Sequence, residues 1–256
     1  MSIKHLQLAA LTGGSASLLF IFLLLGAHVL PALAASGIIT AAAPIKIMPL
    51  GDSITYGRTG SSTLAGYRGP LFALLQQSGY HIDFVGSMHS GIGLADPDNE
   101  GHPGITVRGL DSIVEAFHLV QNTAPQMILL HIGTNNMYND KTAKMAPNDL
   151  TKLVKDTHAQ APNARILLAS IIFSTDPHIN ARIRRYNQQV EATVRKLSGQ
   201  GLPIVHVDMS KAITPVFMVD LIDKVHPNDA GYQKMAQVWM NALQKVLPKP
   251  KAKMPC

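Results

Sequence analysis

The feature that most constrains this 256-residue chain is an alternation of two patterns. Short apolar runs keep returning, separated by longer stretches with helical spacing. Ile45 to Leu50, Ile82 to Val85, Met127 to Ile132, Arg165 to Ile172 and Ile204 to Val207 read as strands. Pro70 to Gln77, Leu110 to Val120, Pro147 to Ala159, Asn180 to Leu197 and Ala230 to Val246 read as helices. The second of these should turn Ile113, Val114, Phe117 and Val120 to one side. Strands alternating with helices imply an α/β fold, a parallel sheet of about five strands covered by helices on both faces. Runs such as MILLHI at 127–132 suit strands buried on both sides. Ser87 to Gly104, rich in Gly, Asp and Pro, is expected to be a loop. No internal repeat and no interdomain linker interrupts the pattern, so one domain is expected over 45–247.

Composition narrows the function classes. Hydrophobic residues make up 46% and charged residues 15%, which excludes wholesale disorder. Aromatic residues are 5% with a single Trp, which speaks against a lectin-like surface of aromatic platforms. The net charge is +6, but the basic residues are scattered and form no stripe for nucleic acid. Arg182, Arg184, Arg185 and Lys196 read as the solvated face of a helix. The only cysteine is Cys256, so no intramolecular disulfide can form.

The first segment reads as an address. Lys4 and His5 precede the apolar run Leu18 to Leu25, and Ala32-Leu33-Ala34 follows as a small-residue cleavage pattern. Residues 1–34 are therefore expected to be a signal peptide, with secretion or export to a periplasm. The alternative is an uncleaved membrane anchor, which wants about 20 predominantly apolar residues. Thr12 to Ser15 and Pro31 interrupt such a span. A short linker, 35–44, and a disordered tail, 248–256, are expected to flank the domain.

In parallel sheets ligands sit beyond the carboxyl ends of the strands. Gly51-Asp52-Ser53-Ile54-Thr55 follows the first strand, Gly86 the second and Gly133-Thr134-Asn135-Asn136 the third. Asp223-Lys224-Val225-His226-Pro227 precedes the last helix. A Ser hydroxyl becomes a competent nucleophile when a base takes its proton, and His226 can be that base. Asp223 can set the imidazole tautomer and stabilise its charged form. The Ser53 N–H, the Gly86 N–H and the Asn135 side-chain amide are candidate donors to a developing oxyanion. No G-x-S-x-G is present, so the nucleophile elbow of α/β-hydrolases is absent.

GDSIT, the glycine after the second strand, GTNN and DKVHP together resemble the four blocks of the GDSL/SGNH hydrolases. The resemblance runs from about Ile45 to Val246 and implies the three-layer, flavodoxin-like fold of that family. It implies Ser53 as nucleophile, Asp223 and His226 as its partners, and Ser53, Gly86 and Asn135 as the oxyanion hole. Asn136 stands where Asp is common. MPLGDSIT at 48–55, Gly66-Tyr67-Arg68, Asp83 to Ser87 and Asn99 to Gly104 are similar to the acetyl xylan esterase branch, carbohydrate esterase family 3. That branch commonly has His where Asn99 stands and a bulky aromatic where Ile105 stands.

Asp52, Tyr56, Tyr67, Arg68, Glu100, His102 and Tyr138 lie close enough to these blocks in sequence to be candidate substrate contacts. Asp96, Asp98 and Glu100 imitate the start of a calcium loop, but Val107 stands where the bidentate Glu is required, so no metal site is assigned. His131 lies within an apolar strand and is expected to be a satisfied core histidine, and Trp239 is expected in the core.

The expectation is an exported serine esterase that removes acetyl groups from a carbohydrate such as xylan, with no metal or organic cofactor. An acetylated carbohydrate or small ester would be its partner, with no nucleic acid and no stable protein partner. The alternatives are a lysophospholipase or thioesterase using the same residues on lipid acyl chains, and a catalytically silent binding protein on the same fold.

Overall fold

The computed structural model describes residues 43–213 and 220–250. The expected leader 1–34, the linker through 42 and the tail from 251 lie outside the described residues. The first strand, β1 (Ile45–Gly51), leads into the short helix α1 (Ser53–Tyr56) and then α2 (Arg68–Gln77). Strands β2 (Ile82–Phe84), β3 (Met88–His89) and β4 (Asp98–Gly101) come next, followed by α3 (Val107–Phe117) and α4 (Leu119–Thr123). The second half runs β5 (Met127–His131), α5 (Asp140–Gln160), β6 (Arg165–Ala169), α6 (Pro177–Gly199), β7 (Ile204–Val207) and α7 (Asp229–Leu243). Strands β1, β5, β6 and β7 lie side by side and parallel. The other flank of β1 is shared: β2 pairs with its start, Ile45 to Ile47, and β4 with its end, Leu50 and Gly51. This is the flavodoxin-like arrangement, with the five expected strands in their expected places.

The alternation of side chains along each strand splits the apolar runs between two cores. Met48, Leu50, Ile128, Leu130, Ile166 and Leu168 pack under α3, α5 and α6. Ile47, Leu129, Leu167 and Ala169 face α2 and α7, where Trp239 is completely buried as expected. Strands with solvent on neither face therefore need no polar alternation.

Three local expectations are corrected. The stretch 87–104 is not all loop: β4 adds a parallel strand to β1, and β3 pairs antiparallel with β4. Its residues DNEG lack β-propensity, and what makes them a strand is pairing with β1 rather than apolar content. Helix α5 starts seven residues before Pro147, because the Asn139 side chain accepts the N–H groups of Lys141 and Thr142 and caps an earlier first turn. The helix expected over 110–120 breaks at His118, which adopts a left-handed conformation with φ 50°. Phe117, expected on the inner face, is consequently 64% exposed.

Tyr67 and Arg68 are both completely buried, so neither is a surface contact for substrate. The Tyr67 ring lies against Trp239 with 5.9 Å between centroids, and its hydroxyl meets Thr55 Oγ1 at 3.2 Å. The Arg68 guanidinium donates to the carbonyl oxygens of Thr55, Tyr56, Ser90 and Pro97 at 2.9–3.1 Å. Burial lowers its pKa to about 10, which still leaves it charged at neutral pH. Arg68 thereby ties the loop after α1 to the segment carrying β3 and β4. Lysine offers a point charge in place of a planar fork. Arg68→Lys is expected to lower the unfolding free energy by about 2–4 kcal/mol, because several buried carbonyls lose their donor. Urea denaturation measures this directly.

Candidate active site

The chain leaves the buried end of β1 and enters α1 with Ser53 as its first residue. Asp52 caps that helix, its Oδ1 accepting the Ile54 N–H at 3.0 Å. Opposite stands a closed loop before α7. The Ile222 N–H donates to the His226 carbonyl, and the Asn228 N–H to the Asp220 carbonyl, at 2.9 and 2.8 Å. The Asn228 side chain caps α7 at Gly231. The loop is tied to the serine side: the Tyr232 hydroxyl donates to the Thr59 carbonyl at 3.0 Å and the Ser62 N–H to Asp229 at 3.0 Å.

These two supports bring together residues 173 positions apart. Ser53 Oγ lies 2.9 Å from His226 Nε2, and His226 Nδ1 lies 2.8 Å from Asp223 Oδ2. A carboxylate only accepts, so Nδ1 carries the proton and Nε2 is left to accept the Ser53 hydroxyl. The second Asp223 oxygen accepts the Val225 and His226 N–H groups, each at 2.8 Å. Partial burial works against ionisation of Asp223, but these backbone hydrogen bonds and the His226 ring together hold it below the usual carboxylate range. Asp223 is 45% exposed and His226 19%.

The expected oxyanion donors sit on the neighbouring strand ends. Gly86 follows β2 and lies against β4, where a side chain would run into the Asn99 carbonyl. Asn135 lies in a 3₁₀ turn, Thr134–Tyr138, directly after β5. Its side-chain Nδ2 donates one proton to the Ile105 carbonyl at 2.9 Å, which fixes the amide and leaves the second proton available. The Ser53 and Gly86 N–H groups make no hydrogen bond among the described residues.

The remaining candidates divide. Tyr56 is partly buried and Tyr138 is 52% exposed, so both keep surface to offer a ligand. Asp52 is completely buried and is a helix cap rather than a contact. Glu100 is also completely buried. It accepts the Ser87 N–H at 2.7 Å, the Ser87 hydroxyl at 2.9 Å and His102 Nε2 at 2.5 Å. Glu100 thus braces the residue after Gly86, and His102, 21% exposed, is the member of the pair that reaches the surface. Asp96 and Asp98 turn elsewhere: Asp96 accepts the Phe84 N–H and Asp98 pairs with His89.

Asn136 has a role its sequence position did not disclose. Buried, it accepts the Val107 N–H at 3.0 Å and so holds the start of α3 against the turn that carries Asn135. Its only sequence signal was its departure from the common Asp. His131 corrects another expectation: it is buried, but among the described residues neither ring nitrogen has a partner. Burial lowers its pKa to about 4, so it is neutral under ordinary conditions.

Burial pushes the Asp52 carboxyl up to about 6, against the lowering effects of the Ile54 N–H and the nearby His226. Its second oxygen has no hydrogen-bond partner among the described residues. A carboxyl raised on folding stabilises the folded state in its neutral form, and that contribution is lost as pH rises through about 6. Relative to Asp52→Asn, the wild type is therefore expected to lose about 2 kcal/mol of stability between pH 4 and pH 8. Urea unfolding of both proteins at the two pH values checks the sign and the size.

With the geometry described, the chain can be set beside known proteins. Residues 50–234 match the GDSL-like Lipase/Acylhydrolase family. A multidomain esterase of Ruminococcus flavefaciens is 31% identical over 234 residues. That alignment takes in 81% of this chain but 29% of the relative, so the chain spans less than a third of that protein's length. A family 3 carbohydrate esterase of Clostridium thermocellum superposes with a TM-score of 0.70 at 29% identity, covering 80% of this chain and 97% of that one. A carbohydrate esterase family 3 structure from Talaromyces cellulolyticus gives 0.66 at 28%, covering 79% and 97%.

Proposed function

Because the chain belongs to the GDSL-like lipase/acylhydrolase family, a family of carboxylic ester hydrolases, we propose that it is an exported serine esterase removing acetyl groups from a carbohydrate, xylan foremost. The observation that carries the reaction class is the continuous hydrogen-bonded series from Ser53 through His226 to Asp223, at 2.9 and 2.8 Å. The substrate class draws on the similarity to family 3 carbohydrate esterases along most of both chains. Export rests on the pattern of residues 1–34.

In this mechanism His226 Nε2 takes the Ser53 proton as Oγ attacks the ester carbonyl. Asp223 stabilises the imidazolium that results. The carbonyl oxygen becomes an oxyanion and accepts from the Ser53 N–H, the Gly86 N–H and the free Asn135 amide proton. Collapse breaks the bond to the sugar oxygen, which leaves with the proton held on Nε2, and acetyl-Ser53 remains. Water, deprotonated by His226, attacks the acyl carbon, and the second oxyanion is held in the same hole; its collapse breaks the bond to Ser53 Oγ, which takes back the proton from Nε2 as acetate is released. The donors are held before substrate arrives, Gly86 by β4 and Asn135 by Ile105, so little reorganisation accompanies the charge.

Ser53→Ala is expected to abolish hydrolysis of p-nitrophenyl acetate and labelling by a fluorophosphonate. Wild-type rates in that variant would reject the mechanism, and an unlabelled wild type would favour a silent binding protein. A panel of p-nitrophenyl esters should show acetate preferred, and acetylated xylan should release acetate. A preference for C8 or longer chains would instead assign the same residues to lipid or thioester substrates.

Asn135→Ala should lower kcat by about 10²–10³ with a smaller change in KM, since its contact forms as the oxyanion develops. Steady-state kinetics on p-nitrophenyl acetate would show the split.

A further inference from the structure

Beside the candidate active site lies a cleft of about 500 Å³ lined by Ser87, His102, Ile113, Phe117 and Leu119. Its two walls differ. Ile113, Phe117 and Leu119 make one side apolar, whereas Ser87 and His102 make the other polar. The polar wall is continuous with the reacting centre. Ser87 directly follows Gly86, and the His102 N–H donates to the Gly51 carbonyl at 2.9 Å, two residues from Ser53.

Phe117 is costly where it stands. Helical continuation would have kept the apolar stripe intact, but His118 adopts φ 50° and ends α3, leaving Phe117 64% exposed. A non-glycine residue in that conformation is uncommon, and such strain tends to persist at functional positions. Among the described residues only Phe117 and Tyr138 are aromatic side chains more than half exposed. In a chain this poor in aromatics, the placement of one in the cleft that Ser87 and His102 also line calls for an occupant.

The two walls select its chemistry. An alkyl chain filling the cleft would desolvate Ser87 and His102 without replacing their lost water. A sugar ring presents an apolar C–H face and a rim of hydroxyls, which matches both walls at once. The polar wall is also set to accept. Glu100 takes the Ser87 hydroxyl proton and the His102 Nε2 proton, which leaves Ser87 Oγ lone pairs and His102 Nδ1 for sugar hydroxyls.

We propose that this cleft is a sugar subsite, in which a pyranose ring of the substrate lies on Phe117 and hydrogen-bonds to Ser87 and His102 while the acetylated unit reaches Ser53. The assignment rests on the acetyl-carbohydrate esterase reading and adds to it the residue that holds the sugar. It makes Phe117 a binding residue for the polymer rather than for the acetyl group.

The test is the ratio of kcat/KM on an acetylated xylo-oligosaccharide to kcat/KM on p-nitrophenyl acetate. In Phe117→Ala the ratio is expected to fall about three- to tenfold, the size of one aromatic contact. Phe117→Tyr, which keeps the ring, should retain it. An unchanged ratio in Phe117→Ala overturns the proposal. So does a loss confined to p-nitrophenyl octanoate, which would make the cleft an acyl pocket. So does a concentration-dependent dimer that Phe117→Ala dissociates while the ratio stays constant. A wild type that cleaves p-nitrophenyl acetate but no acetylated oligosaccharide fails at the earlier step, the carbohydrate reading itself, and takes the subsite with it.

Discussion

The carboxyl end of β1 is the point on which the rest of the structure depends. Gly51 is paired with Gly101 on one edge and with His131 on the other. A side chain there would collide with the His131 carbonyl and with Thr55. The strand therefore ends in a place it cannot leave, and Ser53 begins a helix two residues later. Ser53 inherits its position from sheet packing rather than from its own contacts. The same economy serves its neighbours. Gly86 is seated by β4, and Asn135 by the turn after β5 and by Ile105. Groups held this way are preorganised, which is where electrostatic stabilisation of a transition state gains most.

Around this junction the protein buries charge that a purely structural design would avoid. Asp52 is enclosed with one oxygen unpartnered among the described residues, next to the serine and within electrostatic reach of His226. Arg68 is enclosed among carbonyl oxygens. Glu100 is enclosed between Ser87 and His102. Each carries a desolvation cost offset by specific hydrogen bonds. Each also fixes a loop on which the site relies: α1 for Asp52, the β3–β4 segment for Arg68, and the residue after Gly86 for Glu100. Local rules are broken most densely around Ser53, as expected of a candidate site that trades stability for placement.

Most of the expectations that failed did so for one reason. Tyr67, Arg68 and Asp52 stand beside the GDSIT block in sequence, but adjacency was a poor guide to exposure: all three are buried, Tyr67 against Trp239 and Arg68 among the carbonyls of Ser90 and Pro97. β4 has the composition of a loop, and its strand character comes from the edge of β1 that β2 leaves unpaired beyond Ile47. Phe117 fits a helical stripe, but the stripe ends at a left-handed residue no periodicity discloses. His131 was placed in the core correctly, yet its missing partners depend on what packs around it from other elements. For these residues other than Phe117, which turns on its neighbour His118, the deciding contact came from a residue distant in sequence.

What the sequence determined by itself was the alternation, and through it the layers. Apolar runs of strand length between amphipathic helices admit few folds but a parallel sheet covered on both faces, and a glycine, serine or asparagine at a strand end falls on its carboxyl edge by geometry alone. The order of the blocks also brought Ser53, Asp223 and His226 forward as one set. Only the tertiary structure decided which polar residues face solvent, which are buried as braces, and that an exposed Phe117 shares a cleft with Ser87 and His102. Backbone periodicity follows from local stereochemistry, whereas burial is a property of the whole packing. Ser53 and His226 are 173 residues apart along the chain and 2.9 Å apart in space, and it is the packing of the α7 loop against the end of β1 that closes that distance.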